Sequence, residues 1–130
     1  MLIESVINEL VQRALVVEIT ETEIEMVKQR QSLARLLAKF DRGTLGSRFL
    51  AEYDAVMRLS EIALLHNGYV FGNTPHLAMN IIARGICPSE DIRAMSKLRH
   101  SVKKGYGSPT EQDVVTIRRI RCSMLQALGD

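Results

Sequence analysis

Ser47 to His66 read SRFLAEYDAVMRLSEIALLH, and this stretch decides the fold class. Phe49, Tyr53, Val56, Ser60 and Ala63 recur at spacings of three and four, with Leu50, Met57 and Leu64 beside them. A period near 3.6 places such residues on one face of a helix. Asn67-Gly68 stops the helix on its C-terminal side. Outward from it the pattern stays helical. Met1 to about Val17 reads as a first helix with Leu2, Val6, Leu10, Ala14 and Val17 on one face. Thr20-Glu21-Thr22-Glu23 has the form of a capping box and opens a second helix to about Phe40, with Val27, Arg30/Gln31, Ala34, Leu37 and Ala38 on its inner side. Asp41-Arg42-Gly43 closes that helix.

Thr74-Pro75 starts a short fourth helix that ends near Arg84-Gly85, with Thr as N-cap and Pro in the first turn. Ser89-Glu90-Asp91 opens a fifth, and Gly105 and Gly107 close it. Ser108-Pro109-Thr110-Glu111 opens a sixth, carrying Val114, Ile117, Ile120, Met124 and Leu128 inward. No segment alternates with period two over a strand length. The expected fold is therefore all-α: an antiparallel helical bundle of about five to six helices. The 130 residues suit one domain, with N-terminal helices in residues 1–45 and a helical core in residues 47–128. With few aromatics and no Trp, the core has to be aliphatic and rich in Met.

Composition excludes several classes. No run approaches the roughly 18 apolar residues of a membrane span. The N-terminal stretch carries Glu4 and Glu9 and lacks the basic start of a signal peptide. Cys87 and Cys122 stand far apart, so free thiols and a cytoplasmic location are expected. The three histidines, His66, His76 and His100, share no metal-ligand spacing, and no phosphate-loop or nucleophile-elbow motif occurs. No cofactor and no metal are expected.

Charge is uneven. Residues 1–28 hold six acids against Arg13 and Lys28, a net −4. Residues 93–121 hold eight bases (Arg93, Lys97, Arg99, Lys103, Lys104, Arg118, Arg119, Arg121) against Glu111 and Asp113, a net +6. A basic end attracts polyanions. A solvated face offset by acidic residues is the alternative reading. Within the basic end, Arg99-His100-Ser101-Val102-Lys103-Lys104-Gly105-Tyr106-Gly107 gathers an arginine, a histidine, two lysines and a tyrosine. Continued as a helix, Ile92, Met95, Arg99, Val102 and Tyr106 form an apolar stripe that contains a guanidinium. Burying such a group without partners is costly, so Arg99 either pairs with a carboxylate such as Glu61 or Asp54 or lines a polar cleft.

These features resemble the HEPN (higher eukaryotes and prokaryotes nucleotide-binding) domain. The similarity covers residues 47–121. It rests on AEYDAVM at residues 51–57, on Leu65-His66-Asn67-Gly68-Tyr69, on the short helix after Thr74-Pro75-His76, and on the late helix that bears Arg99-His100 before a Tyr-Gly turn. The resemblance implies a helical bundle, commonly dimeric. Many members are metal-independent ribonucleases that act as toxins in toxin–antitoxin or phage-defence systems. Their motif is an arginine, an adjacent polar residue, a histidine four to six residues on, and in one branch a tyrosine two beyond the histidine. Arg99, His100 and Tyr106 match the arginine, the polar residue and the tyrosine, while Lys104 stands where the histidine belongs. An imidazole titrates near neutrality and shuttles protons, whereas a lysine stays charged and neutralises phosphate. In a second register Arg93 and His100 share a helix face.

The implied catalytic set is Arg99, His100 and Tyr106, with Arg93, Lys97, Lys103 and Lys104 contacting nucleic acid. The expected function is RNA binding, with metal-independent cleavage, by a homodimer. The alternative is a non-catalytic dimeric module of the same fold that docks an antitoxin or a nucleotidyltransferase-like protein. A DNA-binding helix-turn-helix is a third and weaker reading, because Ile117, Ile120 and Met124 claim the core face of the basic last helix.

Overall fold

In the computed structural model, residues 2–128 are described. Among them the chain forms six helices and one two-stranded ladder: α1 (Glu4–Gln12), β1 (Val16–Glu18), α2 (Thr22–Leu37), α3 (Leu45–Leu65), β2 (Tyr69–Phe71), α4 (Pro75–Arg84), α5 (Ser89–Lys104) and α6 (Glu111–Leu128). The fold is an all-α bundle. Helix α3 is its axis and packs against α2, α4, α5, α6 and β2. Its expected single apolar face is in fact burial on nearly every side, as 13 of its 21 residues are buried. The core around it is aliphatic, with Met57, Met79, Met95 and Met124 buried among Leu, Ile and Val. No helix is long and apolar enough to cross a membrane.

The N-terminal segment departs from the expected single helix. The predicted start at Met1 lies outside the described residues, and the helix ends at Gln12 rather than near Val17. Ala14 takes a left-handed conformation with φ 56°. The Leu15 N–H then reaches back to the Leu10 carbonyl at 3.0 Å and the Ala14 N–H to the Val11 carbonyl at 3.0 Å. This is the paired Schellman closure of a helix, made here without glycine, and both Leu10 and Leu15 are buried. The chain leaves it extended. Val16, Val17 and Glu18 pair antiparallel with Phe71, Val70 and Tyr69. The ladder continues through Ile19 N–H to Gly68 O at 2.9 Å and Gly72 N–H to Leu15 O at 2.9 Å. A Cβ on Gly72 would stand 3.1 Å from that oxygen, so a side chain there would press on the Leu15 backbone. Three-residue strands are too short for alternation to be visible in the sequence.

The ladder also shifts the next helix. Ile19 is held by Gly68, so the turn falls later and α2 begins at Thr22, with no side-chain cap from Thr20. The inner face of α2 is the opposite of the one expected. Met26, Gln29, Leu33, Leu36 and Phe40 turn inward, whereas Ile24, Val27 and Leu37 are more than half exposed. The helix carries two apolar stripes at helical spacing, and packing on α3 selects the one that includes Gln29. Its end comes at Leu37 because the chain tightens there, with Lys39 N–H on Leu36 O at 2.9 Å, and seats Phe40 in the interior.

The later helices follow their signals more closely. Thr44 caps α3 by accepting the Ser47 N–H at 3.1 Å, three residues before the expected start. Gly105 closes α5 at φ 77°. That turn removes Tyr106 from the α5 stripe: Ile92 and Met95 are buried, Arg99 and Val102 half-buried, and Tyr106 is exposed. Helix α6 is capped by Thr110 rather than Ser108. Thr110 Oγ1 accepts the Asp113 N–H at 3.1 Å and the Asp113 carboxylate accepts the Thr110 N–H at 2.8 Å. Pro109 is buried ahead of this box instead of forming the first turn.

Candidate functional site

Arg99 lines a groove of about 290 Å³ in which α2, α3, α4 and α5 meet. Helix α3 delivers Asp54 and Arg58, α4 delivers His76, and Ser32 and Leu36 of α2 close one wall. Burial of Gln29 fixes part of this arrangement, because its Oε1 accepts a hydrogen bond from Arg58 at 2.8 Å. Arg99 reaches the groove over the face of Tyr53, its guanidinium carbon 5.3 Å from the ring centroid. A cation over an aromatic face is stabilised by the ring quadrupole. Its Nε is buried and has no hydrogen-bond partner. Of the two carboxylates weighed from the sequence, Asp54 lines the same groove and Glu61 accepts the Phe71 N–H at 3.3 Å.

A polar chain runs under the groove. The Tyr53 hydroxyl lies 3.2 Å from His76 Nδ1 and 3.1 Å from Ser96 Oγ. Asn80 donates to Ser96 Oγ at 3.3 Å and to the His76 carbonyl at 2.8 Å. Tyr53 is buried, so its hydroxyl needs these partners. Burial, and then the positive charge of Arg99, lower the His76 pKa below its ordinary value of 6.5, against a smaller opposing effect of Asp54. This favours the neutral ring at pH 7. Its Nδ1 is engaged by Tyr53, which leaves Nε2 as the nitrogen for a ligand. Burial also raises the Tyr53 pKa, so the phenol keeps its proton. The groove thus holds two guanidiniums, an imidazole and a carboxylate.

The sequence-predicted residues are dispersed around this site. Arg99 lines it. His100, the next residue on α5, is exposed, as are Lys97, Lys103 and Lys104. Tyr106 is 79% exposed beyond the Gly105 turn. Arg93 lines a different groove, formed by the end of α1, the second half of α4 and the start of α5. A histidine and a tyrosine do accompany Arg99, but they are His76 and Tyr53, from the first turn of α4 and the centre of α3. The available signal was Tyr53 itself, a phenol in the middle of an apolar stripe whose hydroxyl had to find a buried partner.

The basic end of the chain is also less available than its charge suggests. Glu52 is fully buried and takes Arg118 Nε on Oε1 at 2.9 Å and Arg121 Nε on Oε2 at 2.6 Å. Two of the eight bases are thereby committed to a buried carboxylate. Cys87 is a buried free thiol whose pKa is raised by burial, and Cys122 is an exposed one. Among the described residues no three His, Cys, Asp or Glu side chains cluster as metal ligands. Comparison with known proteins finds no matching family model, no matching curated protein and no matching solved structure.

Proposed function

We propose that this chain is a HEPN-like RNA-binding protein whose phosphodiester site is the groove of Arg58, His76 and Arg99, and that it cleaves RNA there without metal. One observation carries the reading: the His76 imidazole and the Arg58 and Arg99 guanidiniums line the same groove. Guanidinium is suited to phosphate by its planar array of donors. Metal-free cleavage needs a base for the 2′-hydroxyl and a cation for the charge that builds on phosphorus. His76 Nε2 takes the 2′-hydroxyl proton, and the 2′-oxygen attacks phosphorus. The 5′-oxygen leaves with the returned proton, giving a 2′,3′-cyclic phosphate and a 5′-hydroxyl end. Arg99 neutralises the phosphorane. Such an activity fits a toxin or defence-type component.

The test is a gel-shift and cleavage assay on single-stranded RNA at low salt. Wild-type protein binds, and Arg99→Ala weakens binding by about tenfold or more, the worth of one charge-assisted contact. Absence of both binding and cleavage in the wild type overturns the reading. Binding without cleavage keeps the site and removes its catalytic part.

The exposed stripe of α2 favours a second reading, an interaction module that pairs with another copy of itself. Ile24, Val27 and Leu37 are 58%, 55% and 55% exposed. Along α2 and its two ends the acids Glu21, Glu23 and Glu25 precede the bases Lys28, Arg30, Arg35 and Lys39. Two copies of α2 running antiparallel about a two-fold axis would oppose acid to base while covering both apolar stripes. Sedimentation analysis is expected to find a dimer that Val27→Asp converts to monomer. A wild-type monomer at every concentration rules the pairing out.

A further inference from the structure

We infer that a second phosphate subsite lies further along α4 and α5 from the first, and that one RNA strand runs along the seam of these two helices to occupy both. The inference rests on the RNA reading above and extends it to the path of the strand. The subsite is the groove of about 270 Å³ edged by Arg13 at the end of α1, Arg84 at the end of α4 and Arg93 in the first half of α5. The carboxylate of Glu9 bridges two of these residues, with Oε1 2.6 Å from Arg84 and Oε2 3.3 Å from Arg13. Two guanidiniums from distant parts of the chain therefore already converge on one oxyanion. Three guanidiniums against this single carboxylate leave a surplus of positive charge for a phosphate. Glu90 and Asp91, in the first turn of α5, are not among the residues that line the groove.

The seam connects the two grooves. Helix α4 presents His76, Asn80 and Arg84 at successive spacings of four, and α5 presents Arg93, Ser96 and Arg99 at successive spacings of three. Residues three or four apart are neighbours on a helix surface, so each row winds step by step from one groove to the other. His76 and Arg99 belong to the first groove, Asn80 bonds Ser96 in the middle, and Arg84 and Arg93 belong to the second. Asn80 itself lines the second groove while its amide is bonded to the hydroxyl that holds Tyr53. Arg93 and Arg99 are six residues apart, about 9 Å along the helix axis. A ligand that reaches both must carry at least two phosphates on one flexible chain, as single-stranded RNA does.

Fluorescence anisotropy across a salt series tests this, comparing a dinucleoside monophosphate with a longer oligouridylate, and with inorganic phosphate as competitor. The wild type gains affinity with length. Arg93→Ala is expected to lose about tenfold on the longer strand, to leave the dinucleoside unchanged, and to flatten the slope of log K against log salt by about 0.7, the value for one contact to a single strand. Arg93→Lys restores the slope, and Arg119→Ala, which removes an exposed charge on α6, leaves it unchanged. If Arg93→Ala keeps the wild-type slope and length dependence while Arg99→Ala loses binding, the second subsite is wrong and the RNA reading stands. If inorganic phosphate binds through Arg93 but the longer strand gains nothing from that residue, the continuous path is wrong. If the wild type binds no RNA, both fail.

Discussion

Replacing Glu52 with alanine is expected to destabilise the protein by about 3 kcal/mol or more, the cost of leaving buried charge without its partner. For a domain of this size that lowers the melting temperature by roughly 10 °C. The expectation follows from the geometry of one carboxylate. Glu52 is wholly buried, and its two oxygens are taken by Arg118 and Arg121 of α6. Arg121 lies over the Phe40 ring, 4.3 Å from its centroid. Arg118 extends to the Phe40 carbonyl at 2.8 Å and to Asp41 at 3.1 Å. The Phe40 carbonyl also receives Arg48 Nε at 3.3 Å. Removing the carboxylate therefore loosens α3, α6 and the turn after α2 together. A double-mutant cycle separates pairing from packing. Glu52→Leu combined with Arg121→Met should recover part of the loss, since an apolar replacement of a buried pair is often near neutral. A loss for Glu52→Ala within the roughly 0.5 kcal/mol of a surface substitution would mean that the carboxylate is not the joint of these elements.

The largest functional effect is expected at His76. His76→Gln should slow RNA cleavage by about 10²- to 10⁴-fold, the usual contribution of a positioned proton carrier, while strand affinity stays near that of the wild type. Binding is left to the guanidiniums, and the glutamine keeps a polar group at the groove. The pH profile adds a second readout. Protonated His76 cannot act as base, and both burial and Arg99 hold its pKa below 6.5. Activity should therefore rise with pH below that value and level off above it, and His76→Gln should abolish the rising limb. His100→Gln is the counter-test, because His100 belongs to the catalytic set that the family resemblance implies. Loss of activity in His100→Gln with His76→Gln unaffected would move the chemistry to the exposed face of α5.

The helical architecture was legible because each later helix carries its own local signals. Pro75, the acids of Ser89-Glu90-Asp91, Gly105 and the stripe from Val114 to Leu128 act within a turn or two of themselves. What escaped depends on distant partners. The Val16–Glu18 strand exists only through Phe71, Val70 and Tyr69, and α2 chose between two apolar stripes by packing on α3. The candidate site escaped for the same reason. Tyr53, His76 and Ser96 come from three helices, and no spacing along the chain brings them together. Arg99 was legible because a charge inside an apolar stripe is a local contradiction. The fate of Arg118 and Arg121 was not, since Glu52 looks like any other helix acid until it is buried.

The short β1–β2 ladder closes a long loop through α2 and α3, and that closure carries an entropic cost which a three-residue pairing only modestly offsets. The segment ahead of it is thus the part of the protein best suited to open locally before the bundle unfolds. It also brings Glu9 and Arg13 to the second groove. An anion gripped there would tie Arg13 to α4 and α5, so occupancy would register as slower amide exchange at Val16–Glu18, which follows Arg13 in the chain.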